Sequence, residues 1–209
     1  INELVNTLRR TPPHFILGVN TLFSALIQHP EFRRLDFSQL KATIGGGMAI
    51  LPSVAKKWHT ITGLPIIEGY GLSETAPVIT FNPLTIAEFT NKVGLPTPAT
   101  DIILLDNNDQ PVRIGERGEI AVKGPQVMVG YRNLPVETAN AFTATGYLRT
   151  GDIGIIDERG FIKIVDRKKD MIVVSGFNVY PNEIESVMLE HADVLELSLI
   201  HISEPTRPY

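Results

Sequence analysis

The residues best suited to chemistry lie in segment 68–75, which reads EGYGLSET. Two glycines flank Tyr70, so the backbone can turn sharply there and approach a ligand closely. The flat ring of Tyr70 can stack on a base, and Ser73 with Glu74 forms a hydroxyl–carboxylate pair suited to a phosphate and Mg²⁺. The same spacing also fits a tight turn with a core tyrosine and a surface glutamate, because short glycine motifs are common.

A second candidate is Asp152, which follows Gly151 in the sequence TGD. An acidic side chain placed after a glycine can accept hydrogen bonds from both hydroxyls of a ribose, as in dinucleotide sites. An aspartate in an ordinary turn has the same local sequence. The tripeptide alone therefore leaves both interpretations open.

A third candidate is the charged run 166–170, DRKKD, which precedes a loop and the sequence YPNEIE at 180–185. A charged segment at a change of composition is typical of a hinge, because hinges lie at element ends that absorb backbone rotation. The alternative is a solvated linker followed by a helix with carboxylates in its first turn.

Several site classes are excluded by the residues that the sequence lacks. There is no cysteine, which removes disulfides, zinc–thiolate sites and cysteine nucleophiles. The sequence contains no GxxxxGK[ST], HExxH or GxSxG motif, and its five histidines do not cluster at the spacing of metal ligands. The net charge of −4 gives no strong attraction to nucleic acid. No apolar run reaches about 18 residues, so no transmembrane helix is expected.

The elements of the first third are predicted from apolar spacing. Residues 19–27 carry a helical apolar stripe, and Pro52 and Gly63 suit the first turn and the end of a second helix. Short strands are expected at 41–44 and 65–68, and each runs into glycines. Strands that alternate with helices in this way are typical of an α/β sheet whose loops gather at one edge.

The middle third favours β-structure. Hairpins are predicted around the turns 106–109 and 157–160, and a further strand at 119–123. These strands suit a small β-barrel or a distorted sheet beside the α/β layer. The character changes after Asp166, where a strand at 171–174 and a helix beginning at Pro181 are expected, so a domain boundary is placed near Asp166.

Five motifs, taken in order, carry a resemblance to the adenylate-forming acyl/aryl-CoA synthetase superfamily, most similar to bacterial long-chain fatty-acid–CoA ligases. It covers the chain from about residue 15 to about residue 200. The motifs are GGGM at 45–48, EGYGLSET at 68–75, GERGEIAVKGPQVMVGY at 115–131, YLRTGDIG at 147–154 and IVDRKKDMIVVSGFNVYPNEIE at 164–185.

The resemblance implies a role for each matching residue. Tyr70 would stack on adenine, beside Gly71 and a backbone wall of Gly45, Gly46 and Gly47. Ser73, where most relatives have Thr, would touch the α-phosphate, and Glu74 would ligate Mg²⁺; these two are the expected catalytic residues. Asp152, helped by Arg167, would hold the ribose; Asp166 would be the hinge; and Gly176 would line the pantetheine path of coenzyme A.

The resemblance also implies a fold, a domain organisation and a reaction. The chain would be α/β, with residues 1–165 as the C-terminal part of the large AMP-binding domain. That part divides into an α/β layer at about 1–100 and a small β-barrel-like subdomain at about 101–165. Residues 166–200 would begin a small α+β domain. ATP, Mg²⁺ and coenzyme A would serve to activate a fatty acid, with no nucleic-acid partner and no prediction of oligomeric state.

Two elements of the superfamily are not found in these 209 residues: the phosphate-covering loop and the adenylation lysine. The chain as given is therefore expected to be an inactive internal piece of a cytoplasmic enzyme, with peripheral contact at the inner face of the membrane as a further expectation. Residues 201–209 are interpreted as a non-native tail. Three alternatives stay open: a ligase for another acyl or aryl acid, a non-catalytic nucleotide-binding module, and a truncated chain that does not fold stably.

Overall fold

A computed structural model describes residues 1–174, 177–189, 191, 193–194 and 197–199. The helices are α1 (Asn2–Arg10), α2 (Asn20–Gln28), α3 (Pro52–Thr62), α4 (Pro135–Ala141) and α5 (Pro181–Met188). The strands are β1 (Phe15–Gly18), β2 (Ala42–Gly45), β3 (Ile66–Gly71), β4 (Val78–Phe81), β5 (Leu95–Pro96), β6 (Asp101–Leu105), β7 (Arg117–Lys123), β8 (Leu148–Ile156), β9 (Ile162–Arg167), β10 (Ile172–Val174) and β11 (Phe177–Val179).

The first layer is a five-stranded sheet in the order β1-β2-β3-β4-β5. Strands β1, β2 and β3 pair in parallel, whereas β4 and β5 add antiparallel. Parallel neighbours need a crossover connection, and α2 and α3 supply it. Helix α3 has Pro52 in its first turn and ends at Gly63, whose φ of 74° is left-handed. Both boundaries confirm the sequence prediction.

The core under this sheet is built around Trp58, which is fully buried. Its ring centroid lies 4.8 Å from that of Phe23 and 5.4 Å from that of Phe32. The indole Nε1 donates a hydrogen bond to Oγ1 of Thr43 on β2 at 3.0 Å, so burial leaves the polar atom satisfied. Helix α3 is thereby fixed against the strand that leads into the glycine segment.

The second layer is an antiparallel sheet in the order β6-β7-β8-β9. Its two edge strands, β6 and β9, do not pair with each other among the described residues, so the sheet is open and not a closed barrel. The predicted turn at 106–109 is present, with Asp106 accepting hydrogen bonds from the backbone amides of Asn108 and Gln110. The turn at 157–160 is closed in the same way by Asp157.

The described C-terminal part follows β9 directly. The hairpin of β10 and β11 and helix α5 lie beyond Asp166, which is inside β9 and not in a linker. Within the loop predicted after the charged run, residues 177 and 178 instead belong to β11. Residues 175 and 176 lie outside the described residues, as does the tail 201–209. In the part of the chain that the structure describes, no helix has the length and apolar character needed to cross a bilayer.

Candidate functional site

Strand β3 forms the centre of the site because it changes partners along its length. Residues 66–68 pair with β2, and residues 69–71 pair with β4, with a shift of register between Tyr70 and Gly71. The predicted glycine loop is therefore a bulged strand. A Cβ atom on Gly71 would lie 1.6 Å from the carbonyl oxygen of Pro77, so only glycine fits this approach of two backbones.

The bulged strand brings Tyr70 into contact with Asp152 on β8. The phenol of Tyr70 donates a hydrogen bond of 2.5 Å to Oδ2 of Asp152. Burial raises the pKa of Asp152, and the hydrogen bond from Tyr70 opposes that rise by stabilising the carboxylate. Burial, followed by the charge of Asp152, raises the pKa of the Tyr70 phenol, so Tyr70 stays a donor.

Arg167 lies across from Asp152 on the neighbouring strand. The two residues are register partners between β8 and β9, and Nε of Arg167 is 3.7 Å from Oδ1 of Asp152. The side chain of Arg167 is 62% exposed, whereas that of Asp152 is 13% exposed. The guanidinium is therefore free to turn toward a bound anion while the carboxylate keeps its position.

The glycine segment 45–47 runs beside β3. Gly46 donates a backbone hydrogen bond to Gly18 at 3.2 Å, and a Cβ atom on Gly46 would lie 3.3 Å from the carbonyl oxygen of Gly69. Gly47 has a φ of 78°, a conformation that favours glycine. The two glycine-containing motifs that were separate in the sequence are therefore adjacent in the fold.

Glu74 lies in a short 3-10 turn, Ser73–Thr75, directly after β3. Its Oε1 accepts a hydrogen bond from the phenol of Tyr131 at 3.0 Å, and its backbone carbonyl accepts one from Met128 at 2.8 Å. The hydrogen bond to the Glu74 carboxylate raises the pKa of the Tyr131 phenol. Ser73 is exposed. Tyr131 was not singled out from the sequence, although it ends the VMVGY run that carried part of the resemblance.

Mg²⁺ at this site would depend on ligands from outside the protein. Within the described part of the chain, no three His, Cys, Asp or Glu side chains are grouped as a metal site. Mg²⁺ is commonly held by one or two carboxylates together with substrate phosphates and water. One partly exposed carboxylate, Glu74, beside an exposed hydroxyl fits this pattern.

Asp166 is 2% exposed and fully engaged in hydrogen bonds. Its Oδ1 accepts from the backbone amide of Arg167 at 2.7 Å and from Nδ2 of Asn182 at 3.0 Å. Its Oδ2 accepts from the backbone amide of Asn182 at 3.1 Å. Asp166 thus joins the end of β9 to the first turn of α5.

A further buried carboxyl, that of Glu68, was not predicted to be unusual. Glu68 is 6% exposed, and its Oε2 has no hydrogen-bond partner among the described residues. Burial raises its pKa to about 8, partly opposed by a hydrogen bond from the backbone amide of Ile50. The signal available in the sequence was a glutamate that continues the buried strand run of Ile66 and Ile67.

The structure therefore brings together Tyr70, Asp152, Arg167 and the glycine segment 45–47. Ser73 and Glu74 follow Tyr70 by three and four residues at the end of β3. Gly176 lies outside the described residues. The arrangement offers an aromatic ring, a partly buried carboxylate acceptor, an exposed cation and backbone surfaces without side chains, which suits a nucleotide.

Comparison with known proteins agrees with this chemistry. Residues 1–132 match the family described as AMP-binding enzyme. Over 202 residues the chain is 51% identical to a long-chain-fatty-acid–CoA ligase from Yersinia pestis, covering 97% of this chain and 36% of the relative. It is 38% identical over 206 residues to the corresponding ligase from Bacillus subtilis, covering 98% of this chain and 37% of the relative.

A solved structure shows the same fold. The ATP-bound MatB from Rhodopseudomonas palustris superposes with a TM-score of 0.87 at 32% identity, covering 95% of this chain and 39% of that one. The chain spans about a third of the length of the curated relatives it matches.

Proposed function

Because the chain belongs to the AMP-binding enzyme family, we propose that the full-length protein activates a fatty acid with ATP and transfers the acyl group to coenzyme A. The support is the 51% identity to a long-chain-fatty-acid–CoA ligase over nearly the whole chain. The observation that carries the proposal is the 2.5 Å hydrogen bond from Tyr70 to Asp152. It places a ring that can stack on the adenine and a carboxylate that can accept from the ribose hydroxyls close enough to contact the same nucleoside.

In this proposal the nucleoside lies against β3. The adenine ring would stack on Tyr70, and the backbone of Gly45, Gly46 and Gly47 would form the adjoining wall. Asp152 would accept hydrogen bonds from the ribose hydroxyls, with its position fixed by Tyr70. Arg167 would approach from β9, because its exposed side chain reaches the carboxylate only at 3.7 Å and is available to the ligand.

The first step requires little acid–base chemistry from the protein. A fatty-acid carboxylate is already ionised at pH 7, so one of its oxygens can attack the α-phosphorus of ATP directly. The new P–O bond forms acyl-AMP, and the bond to pyrophosphate breaks. The residues position the reactants and neutralise phosphate charge. Ser73 would contact the α-phosphate, and Glu74 would hold Mg²⁺, whose charge offsets that of the phosphates.

The second step needs a different surface over the same adenylate. The thiol of coenzyme A would give up its proton to solvent, its sulfur would form a C–S bond to the acyl carbon, and the C–O bond to AMP would break. We propose that residues 1–165 form the end of the large domain and residues 166–200 the start of a small one. Asp166 would be the pivot between them, and Gly176 would line the path of the pantetheine arm. Rotation at an element end is a known means of exchanging domain faces.

The metal role of Glu74 is tested by Glu74→Gln in the full-length protein. Removing the carboxylate charge is expected to slow ATP–pyrophosphate exchange by at least about 100-fold, the scale of losing one preorganised electrostatic partner. The exposed Glu158→Gln serves as the control and should exchange at the wild-type rate. Exchange at the wild-type rate in Glu74→Gln would refute the assignment.

The identity of the acid substrate is tested in the full-length protein with a panel of carboxylic acids of graded chain length and two aryl acids. The proposal expects thioester formation, measured as kcat/KM, to rise with chain length and to be low for the aryl acids. A preference for an aryl acid would replace the fatty acid as substrate and leave the adenylate chemistry intact.

A further inference from the structure

Glu119, a buried carboxylate next to the site, is not among the residues whose type and spacing indicate chemistry in the sequence. It lies on β7 and its side chain is 6% exposed. Its Oε1 accepts a hydrogen bond from the backbone amide of Gly151 at 3.2 Å, and its Oε2 accepts one from Nζ of Lys168 at 2.7 Å. Both oxygens are therefore used, and each is used by a different part of the fold.

The two partners of Glu119 lie on either side of the proposed pivot. Gly151 precedes Asp152 in the left-handed conformation, with a φ of 74°. Lys168 follows Asp166 by two residues, and its backbone amide donates to the carbonyl of Gly151 at 2.8 Å. Glu119 thus joins the backbone turn that presents Asp152 to the side chain of Lys168, two residues beyond Asp166.

Because of these contacts, the Glu119–Lys168 ion pair opposes rotation of the chain about Asp166. A buried carboxylate that loses its hydrogen-bonded cation is costly to keep charged, and Arg149, which also interacts electrostatically with Glu119, replaces only part of that interaction. The Lys168 side chain is 43% exposed, so water can solvate its ammonium group when Lys168 moves away from Glu119. Any rotation about Asp166 that carries Lys168 away from β7 must break this pair and also the backbone bond to Gly151.

We propose that Glu119 is a positioning residue that fixes the turn carrying Asp152 and, through Lys168, latches the segment after Asp166 in the orientation where Arg167 faces Asp152. The inference rests on the proposed function for the meaning of that orientation. The contact itself, however, is a property of the chain and is testable without substrate.

A second ion pair joins the same two parts and provides a control. Arg117 on β7 lies 2.7 Å from Glu183 on α5, with side chains 40% and 49% exposed, and its guanidinium lies 4.6 Å from the centre of the Tyr180 ring. Exposed pairs of this kind contribute little to stability. Glu183→Gln therefore removes an ion pair across the same boundary without leaving a buried charge.

The latch is tested by hydrogen exchange of the full-length protein without substrate. Glu119→Gln keeps an acceptor for Gly151 but loses the charge that holds Lys168. Exchange of amides at 167–173 is expected to accelerate by at least about tenfold, as for a segment released to local opening. Lys168→Met, a change at a partly exposed position, should give the same acceleration. Glu183→Gln should stay near wild type.

Unchanged exchange at 167–173 in both Glu119→Gln and Lys168→Met would overturn the latch, as would an equal acceleration in Glu183→Gln. The half-reactions supply the second readout. The latch predicts that Glu119→Gln changes the ratio of ATP–pyrophosphate exchange to thioester formation from added acyl-AMP. If amide exchange accelerates while neither half-reaction occurs even in the wild type, the proposed function fails and the latch stands.

Discussion

Tyr70 and Asp152 illustrate how two side chains define each other's chemistry at the scale of single residues. They lie 82 positions apart in the sequence, and the fold places their oxygens 2.5 Å apart. Burial disfavours the charge on Asp152, and the phenol of Tyr70 stabilises it. In the proposed site Tyr70 therefore has two tasks, which are to stack on a base and to keep the ribose acceptor ionised.

Glu68 makes the stability of the protein depend on pH. Its pKa is about 8 when folded, against 4.5 as the ordinary value. Below pH 4.5 both states are protonated, and the stability is fully present. Between pH 4.5 and 8 the unfolded chain gives up a proton that the folded protein keeps, so the free energy of unfolding falls by about 1.4 kcal/mol per pH unit.

Glu68→Gln should remove that fall, because an amide does not titrate. Relative to wild type, the variant is expected to gain on the order of 4 kcal/mol between pH 4.5 and 8.5, measured by urea unfolding followed by circular dichroism. The exposed Glu88→Gln controls for the loss of a charge. A parallel pH dependence in wild type and Glu68→Gln would show that the carboxyl is ionised in the folded protein.

Among the secondary-structure elements, α3 and the two hairpin turns were predictable because each depends on neighbouring residues. Pro52 and Gly63 mark the ends of α3, and Asp106 and Asp157 close their own turns. The full extent of β3 was not predictable. Judged from neighbouring residues alone, two glycines indicate a loop. Here the pairing of Gly69, Tyr70 and Gly71 with β4, in which Tyr70 lies opposite Thr80, keeps them in a strand.

For the candidate site, the sequence likewise predicted individual groups but not their long-range partners. The types and order of Tyr70, Glu74 and Asp152 identified candidate groups, since aromatic, carboxylate and glycine residues carry that chemistry wherever they lie. The partners Tyr131 and Glu119 were not identified. Their contacts span 57 and 49 positions, and no local pattern reports on contacts at that distance.

The bulge in β3 leads to a prediction about Gly71. In Gly71→Ala the new methyl group meets the backbone of Pro77, which cannot rotate away, so the strand must shift. We expect a destabilisation of about 1–3 kcal/mol, typical of overpacking, together with weaker AMP binding measured by calorimetry in the full-length protein.

Gly63→Ala is the matched comparison for Gly71→Ala. Gly63 also requires glycine, but through its φ of 74°, and a Cβ atom there meets nothing within 4 Å. The cost should be about 1–2 kcal/mol of backbone strain, with AMP affinity unchanged. If both variants bind AMP as wild type does, the bulge has no part in holding the nucleotide.

At the scale of the whole molecule, the described chain consists of two sheets and a C-terminal part attached through Asp166. Ion pairs of Lys168 and Arg117 and the packing of Tyr180 against Ile153 and Val165 dock that part on the second sheet. The apolar side chains of α5 lie largely at the surface of the described chain, since Ile184, Val187 and Met188 are 39%, 68% and 48% exposed.

The proposed exchange of domain faces is tested at Gly176 in the full-length protein. Gly176→Leu should leave ATP–pyrophosphate exchange within about twofold of wild type and slow thioester formation at least about tenfold, because only the second step needs the pantetheine path. Gly115→Leu, in an exposed turn where φ is 86° and nothing lies within 4 Å, controls for the general strain of replacing a glycine and should leave the ratio of the two half-reactions unchanged. Equal loss of both half-reactions would contradict the path.

The change of partners within β3 also determines where the chain can lengthen or shorten. Since successive strand residues point to opposite faces, one residue inserted between Glu68 and Gly69 would turn Tyr70 away from Asp152 and shift the register with either β2 or β4. The turn between β6 and β7 instead connects two strands that pair with each other along the whole length of β6, so a change of its length leaves their register unchanged. Related sequences should therefore vary in length at 106–116. They should not vary within β3, because each residue added there would place the side chains after it on the wrong face of the sheet.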